Sequence, residues 1–318
     1  MTRRQGLIAL FRVAVAAILV AVLSRHVDLR GAFAILSGID PLWLLPAAGL
    51  FLLGQTLSCL RWRIALAQIV EVPPPFPALL KLYFIGMFVN LGIPTTAGGD
   101  VVRAEMMRGM VGGRGGAYAS ILADRIIGAL AVVLLACGAA VLARGVLDAE
   151  TRRMAAFAAL AAPVAIAALV WSVGYLGRNR VAGRVAPFLD ALRLLGRRPS
   201  ILALSLCIAL VVQTVGVVLP ISLLAHAMSI ELPLSAHFVL VPIIVLATLI
   251  PVAPNGLGLR ETAFVILYAP FGVPHEAAAA LGFSWSLLLT VFGLAGGIAL
   301  ASWTGAEPAS RGSKASAR

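Results

Sequence analysis

The sequence predicts an all-α polytopic membrane protein of about six transmembrane helices and two re-entrant hairpins, on three observations. Its composition suits lipid, its long apolar runs have spanning length, and two shorter runs break at Pro and Gly. Of 318 residues, 61% are hydrophobic and 12% charged, against about 25% charged in an ordinary soluble domain. The formal charge of +12 does not indicate nucleic acid, because the arginines punctuate apolar runs instead of lining one face among aromatic platforms. They read as topology signals and contacts to anionic headgroups. Cys59, Cys137 and Cys207 lie in or beside apolar runs without CxxC spacing, so packing explains them. No metal site or cofactor is implied.

A helix needs about 20 apolar residues to cross roughly 30 Å of hydrocarbon. The runs 6–24, 42–60, 117–143, 154–176, 200–225 and 277–303 qualify. Arg3 and Arg4 give the first run the look of a secretory signal, but no small-x-small cleavage site precedes Arg25, and it reads as an anchor. One membrane domain is expected over residues 1–304, followed by a short basic tail, 305–318, expected to be cytoplasmic and disordered.

Two further runs are too short to cross. The first extends from Ala78 to Leu91, breaks over Ile93–Asp100 with Pro94 and Gly99, and resumes to Val111. The second extends from His237 to Ile250, breaks over Pro251–Gly258 with Asn255 and Gly256, and resumes to Ala269. Irregular backbone at membrane depth survives only where protein buries it or a wet cavity borders it, so each break marks a candidate site. Reading both runs as re-entrant places fifteen basic residues on the cytoplasmic side, from Arg3 to Arg318. Five basic residues (Arg25, Arg30, Arg144, Arg152, Arg153) face six acidic ones outside. That bias puts both termini in the cytoplasm of a bacterial-type inner membrane.

The breaks repeat at an offset of 157 residues: Ile93 with Ile250, Pro94 with Pro251, Gly99 with Gly256, Arg103 with Arg260. Three spans separate them, so the second hairpin enters from the opposite face. Paired Gly/Pro-interrupted segments in such an inverted repeat point to the binding site of a transporter. Kinks in two ordinary helices are the plainer reading.

Intramembrane charge narrows the site, because a charged side chain at mid-membrane costs about 2.5–3.5 kcal/mol on insertion scales. Asp100 is expected to cap the return helix of the first hairpin, with Arg103 and Glu105 in the next turn. A cation near a helix N-terminus opposes the dipole unless an anion joins it, and a phosphate would be that anion. Arg260 and Glu261 repeat the arrangement after Gly256 and Gly258, whose amides could face an anion. Asp124 and Arg125 are adjacent and cannot pair with each other on a helix; Asp124 is expected to reach a hairpin arginine. Arg61, Trp62 and Arg63 suit snorkelling at the inner interface as well as headgroup binding. Asn90 could bond the freed backbone of the break or a ligand. His226, His237 and His275 lack metal-ligand spacing and read as structural.

These motifs resemble the flippase-like membrane domain of the lysylphosphatidylglycerol synthase family. The resemblance is carried by Arg61-Trp62-Arg63, by Asn90 with Ile93-Pro94 and Gly99-Asp100-x-x-Arg103, by Ser120 to Asp124-Arg125, and by Pro251-x-x-Pro254-x-Gly256-x-Gly258-x-Arg260-Glu261. It covers residues 10–303 and implies translocation of a lipid between leaflets, with an anionic or phosphate-bearing headgroup held by the residues named. In bifunctional relatives a separate soluble domain makes an aminoacylated phospholipid. The present sequence has no such segment, so aminoacyl transfer is not expected. Stand-alone relatives are associated with diverse lipids, which leaves the substrate open. Two other classes compete: a non-catalytic partner or scaffold of lipid-biosynthetic enzymes, and a membrane-embedded lipid-modifying enzyme. The second would need a nucleophile, a base or a metal-binding carboxylate cluster, and the sequence offers no such motif; no catalytic residue is assigned.

The topology is open to a direct check. Cysteines replacing Asp190 and Lys314 should be labelled only from the cytoplasm, and those replacing Asp148 and Glu231 only from outside; labelling of positions 148 and 190 from one side would overturn the map.

Overall fold

The computed structural model describes residues 28–39, 41–92, 98–142, 150, 153, 157, 198–248, 256 and 258–303. Every regular element among them is helical. In chain order they are α1 (Leu29–Ser37), α2 (Pro41–Leu66), α3 (Phe76–Gly92), α4 (Gly98–Met107), α5 (Arg114–Leu142) and α6 (Pro199–Gln213), then a π-helical turn, Thr214–Val218, that leads into α7 (Leu219–Ala227), α8 (Leu234–Thr248), α9 (Leu259–Tyr268) and α10 (His275–Ala301). Four helices have the length and apolarity to cross a membrane: Leu42–Leu66, Arg114–Ala139, Pro199–Ala227 and His275–Ala301. They are four of the six expected spans. The run 6–24 and all of 154–176 except residue 157 lie outside the described residues, as do the tail and most of the basic segment before Arg198.

Both broken runs are hairpins and not kinked helices. Gly86 and Gly99 are thirteen residues apart, which a continuous helix would separate by about 20 Å. They touch instead: a Cβ on Gly99 would collide with the Gly86 carbonyl. In the second run the His237 Nδ1 lies 2.9 Å from the Tyr268 hydroxyl, although a continuous helix would hold them about 46 Å apart. The chain has therefore reversed in each. The first break is shorter than expected, since residues 98–100 are already helical, and the return arm stops at Met107 before turns over residues 108–113.

A long helix, two short arms and a second long helix thus occur twice, over 41–142 and 199–301. The packing exchanges partners between the halves. The first arm α3 lies against α10, its counterpart α8 lies against α5, and each return arm rests on the long helix that follows it. The halves also meet where α2 crosses the π-helical turn. A Cβ built on Gly216 would stand 2.6 Å from the Gly54 Cα, and one on Gly54 would strike Gly216 in return. Pro220 accounts for the π register, since it has no amide to offer the Gly216 carbonyl four residues back.

The largest apolar cluster joins α1, α2 and α7–α10 through Phe51, Leu224, Phe264, Tyr268 and Leu281. A second fills the first hairpin with Cys59, Trp62, Leu79, Leu82, Ala104, Met107 and Ile121. Helix α1 occupies what the sequence reading left as an outer loop. Asp28 starts it by accepting the Arg30 amide at 3.0 Å, and Phe33 stacks on Phe283 at 6.0 Å.

Replacing Gly54 by Ala should destabilise the protein by about 1–3 kcal/mol, the cost of overpacking at a backbone-to-backbone contact. Gly49→Ala, on the same helix with open space at its Cβ, should leave thermal unfolding in detergent unchanged or slightly raised. Equal behaviour of the two variants would refute the crossing.

Candidate functional site

The first hairpin assembles its charged residues against the ends of two long helices. Its turn is closed by three groups. Asn90 Oδ1 accepts the Gly99 amide at 2.7 Å, Gly99 leaves no room for a side chain beside Gly86, and Gly86 in turn leaves a slot for Arg103. A Cβ on Gly86 would sit 2.9 Å from the Arg103 Cγ. Asn90 therefore bonds the freed backbone, one of its two expected roles.

Arg103 is the centre of the arrangement. Its side chain is 6% exposed. The guanidinium carbon lies 4.1 Å from the Trp62 ring centroid and 4.6 Å from that of Tyr83, a double cation–π contact. Nη1 donates to Asp100 Oδ1 at 3.3 Å, while Nε and Nη2 are buried and have no hydrogen-bond partner among the described residues. Those two nitrogens form the side-on fork of the guanidinium, which matches the spacing of two oxygens of a phosphate or carboxylate.

Asp100 lies in the first turn of α4 and is not its cap, because the helix starts two residues earlier, at Gly98. Its carboxylate instead receives Arg125 through two bonds, Nε to Oδ2 at 2.7 Å and Nη2 to Oδ1 at 3.1 Å. Asp124 does not reach a hairpin arginine as expected; it pairs with Arg61 of α2, Nε to Oδ1 at 2.8 Å, with both side chains under 8% exposed. The rotation of α5 explains the exchange: Arg125 faces the hairpin and Asp124 faces α2. Arg61 and Trp62 are consequently buried and do not snorkel or form a belt. The Trp62 indole donates to Ser120 Oγ at 3.2 Å, which fixes the ring under Arg103. Arg61 Nη1 and Arg63 Nε are likewise buried without a hydrogen-bond partner among the described residues.

Glu105 is not part of this group. It accepts from Arg108 at 2.9 Å, Arg114 at 3.2 Å and Tyr118 at 3.0 Å, tying the end of α4 to the start of α5. The Tyr118 hydrogen bond holds its carboxyl below the ordinary range, and Arg114 and Arg108 add to that effect.

The second hairpin is closed on itself. Glu261 is fully buried, accepting the Gly258 amide on Oε2 at 2.7 Å and the Ser286 hydroxyl on Oε1 at 2.6 Å. Ser286 accepts Arg260 Nη1 at 2.8 Å. The Gly258 amide is thus occupied by Glu261 and not offered to an anion. Positive φ at Gly256 and Gly258, 74° and 79°, is why glycine stands at both. Pro94, Pro251 and Asn255 lie outside the described residues. Sequence reasoning missed Tyr83, Gly86 and Ser286, none of which carries a pattern distinguishing it from helix packing.

A family model described as the lysylphosphatidylglycerol synthase TM region matches residues 9–297. A protein named UPF0104 membrane protein, from Methanothermobacter thermautotrophicus, is 32% identical over 141 residues, which is 44% of this chain and 39% of that relative. The match spans less than half of the relative's length.

Asp124→Leu should destabilise the protein by about 3–5 kcal/mol, because it strands the buried Arg61 cation. The double variant Arg61→Met/Asp124→Leu should recover much of that loss in thermal unfolding; a neutral Asp124→Leu would show that the pair is not structural.

Proposed function

Because the chain belongs to the family of the lysylphosphatidylglycerol synthase transmembrane region, we propose that it binds a lipid through a phosphate-bearing headgroup and moves that lipid between leaflets. The observation that carries the reading is the buried, unoccupied fork of Arg103. An arginine taken out of water with two donors unmet costs several kcal/mol unless an anion completes it. Two aromatic faces hold the guanidinium plane still, so little ordering remains when an oxyanion arrives. The first hairpin supplies the recognition, and the two hairpins of the repeat frame the path of the headgroup.

On this reading the protein acts without catalysis, needs no cofactor, and resides in an inner membrane with cytoplasmic termini, where lipid-biosynthetic enzymes would supply its substrate. Arg103 then lies in the cytoplasmic half of the bilayer, between the end of α2 and the return arm, so the headgroup enters from the inner leaflet.

The test is reconstitution of the purified chain in liposomes containing fluorescent phosphatidylglycerol or phosphatidic acid, with inner-leaflet label followed by dithionite quenching. Wild-type protein should expose inner-leaflet label, Arg103→Glu should fall to the protein-free rate, and Arg103→Lys should retain part of the activity as a point charge without the fork. A folded Arg103→Glu variant that moves lipid at the wild-type rate would overturn the site. Headgroup binding without movement would assign the chain to lipid presentation instead.

A further inference from the structure

The charges of the Arg103 site pair off unequally. Asp124 is committed to Arg61 at 2.8 Å. Asp100 gives both carboxylate oxygens to Arg125, at 2.7 and 3.1 Å, and Arg103 has only a share of one of them at 3.3 Å. Glu105 belongs to Arg108 and Arg114. Four guanidinium groups, those of Arg61, Arg63, Arg103 and Arg125, therefore meet two carboxylates among the described residues, and the two cations without a carboxylate of their own are Arg63 and Arg103.

Both of those residues have buried donors with no partner among the described residues: Nε of Arg63, and Nε and Nη2 of Arg103. They meet at Trp62: Arg103 stacks on its ring at 4.1 Å, and Arg63 is the next residue along α2. The excess is thus gathered around one tryptophan. Burial of the Arg103 side chain, 6% exposed, amplifies it, because a cation in low dielectric calls for counter-charge.

We propose that the ligand of this site is a dianionic phosphate, the terminal phosphomonoester or diphosphate of a lipid, with two of its oxygens on the Arg103 fork and its second negative charge balanced by Arg63. This deepens the reading of a phosphate-bearing lipid and rests on it. A phosphodiester headgroup, with a single charge, satisfies the fork but leaves Arg63 uncompensated. The site is therefore selective for charge as well as for oxyanion shape.

The test compares binding of phosphatidic acid and phosphatidylglycerol with identical acyl chains to the full solubilised chain by native mass spectrometry. It is run at about pH 8, above the second ionisation of a phosphomonoester at about 6. Phosphatidic acid should bind about tenfold more tightly, equivalent to about 1.4 kcal/mol. Arg63→Gln should erase that preference while leaving both lipids bound, and Arg63→Lys should restore it. Equal affinity for the two lipids, each lost in Arg103→Glu, overturns the dianion and leaves the phosphate-lipid reading intact. Failure of both lipids to bind, or binding of both that survives Arg103→Glu, overturns the two together. Inorganic phosphate in excess should not displace phosphatidic acid, since it has no acyl chains to partition; full displacement would make the ligand a free phosphate and overturn the lipid source.

Discussion

Hydrocarbon supplies no hydrogen bonds, and this constraint governs the whole molecule. A helix broken inside it frees amides and carbonyls that only protein can satisfy. Each hairpin meets the demand locally. In the first, Asn90 takes the Gly99 amide; in the second, Glu261 takes the Gly258 amide and the Thr262 hydroxyl donates to the Gly258 carbonyl at 2.7 Å. Glycine is then required where these satisfactions bring backbone against backbone, as at Gly99 and Gly86. The same constraint acts on charge. Arg61 and Asp124 pair with each other, so two long helices carry charged side chains in a buried, largely apolar contact, and Arg125 pairs with Asp100 of the return arm.

Against that background the two hairpins differ in one respect that shape alone does not reveal. Their arms match in length and each packs across to the other half, yet Arg260 is engaged by Ser286 and, through it, by Glu261, whereas Arg103 keeps its fork open. A side-chain network whose members are mutually bonded is rigid and specific. The polar groups of the second hairpin are thus spent on one another, whereas the first retains unused donors among the described residues.

The architecture was legible in the sequence because it follows from backbone rules. Run length separates spans from arms, and the Pro- and Gly-rich stretches between the arms pointed to the two chain reversals. The charged positions were legible for the related reason that lipid makes each one conspicuous. Their pairing was not. Whether Asp124 meets α2 or the hairpin depends on the rotation of α5 about its axis, and an almost wholly apolar helix carries little periodicity to set that angle. Trp62 suffered from the same ambiguity: beside two arginines at a helix end it reads as an interfacial anchor, and only its hydrogen bond to Ser120 turns it into the floor of the Arg103 site. Helix α1 has neither spanning length nor a break, while the π turn did leave a signal in Pro220, read only as part of a continuous span.

The repeat explains why the open site can exist without unfolding its surroundings. Because α3 rests on α10 and α8 on α5, each hairpin is braced by the opposite half as well as by its own. The uncompensated charge of Arg103 and Arg63 is consequently set against packing drawn from the whole domain, including Gly296 of α10 in close contact with the Phe84 carbonyl of α3. An isolated hairpin could relieve that charge by turning its arginine outward. Here Gly86, Trp62 and Tyr83 confine the side chain, and turning it away would empty the slot and forfeit both ring contacts. The unmet donors of Arg103 are thus held in place by packing, and on the proposed reading it is this confinement that an arriving anion would meet.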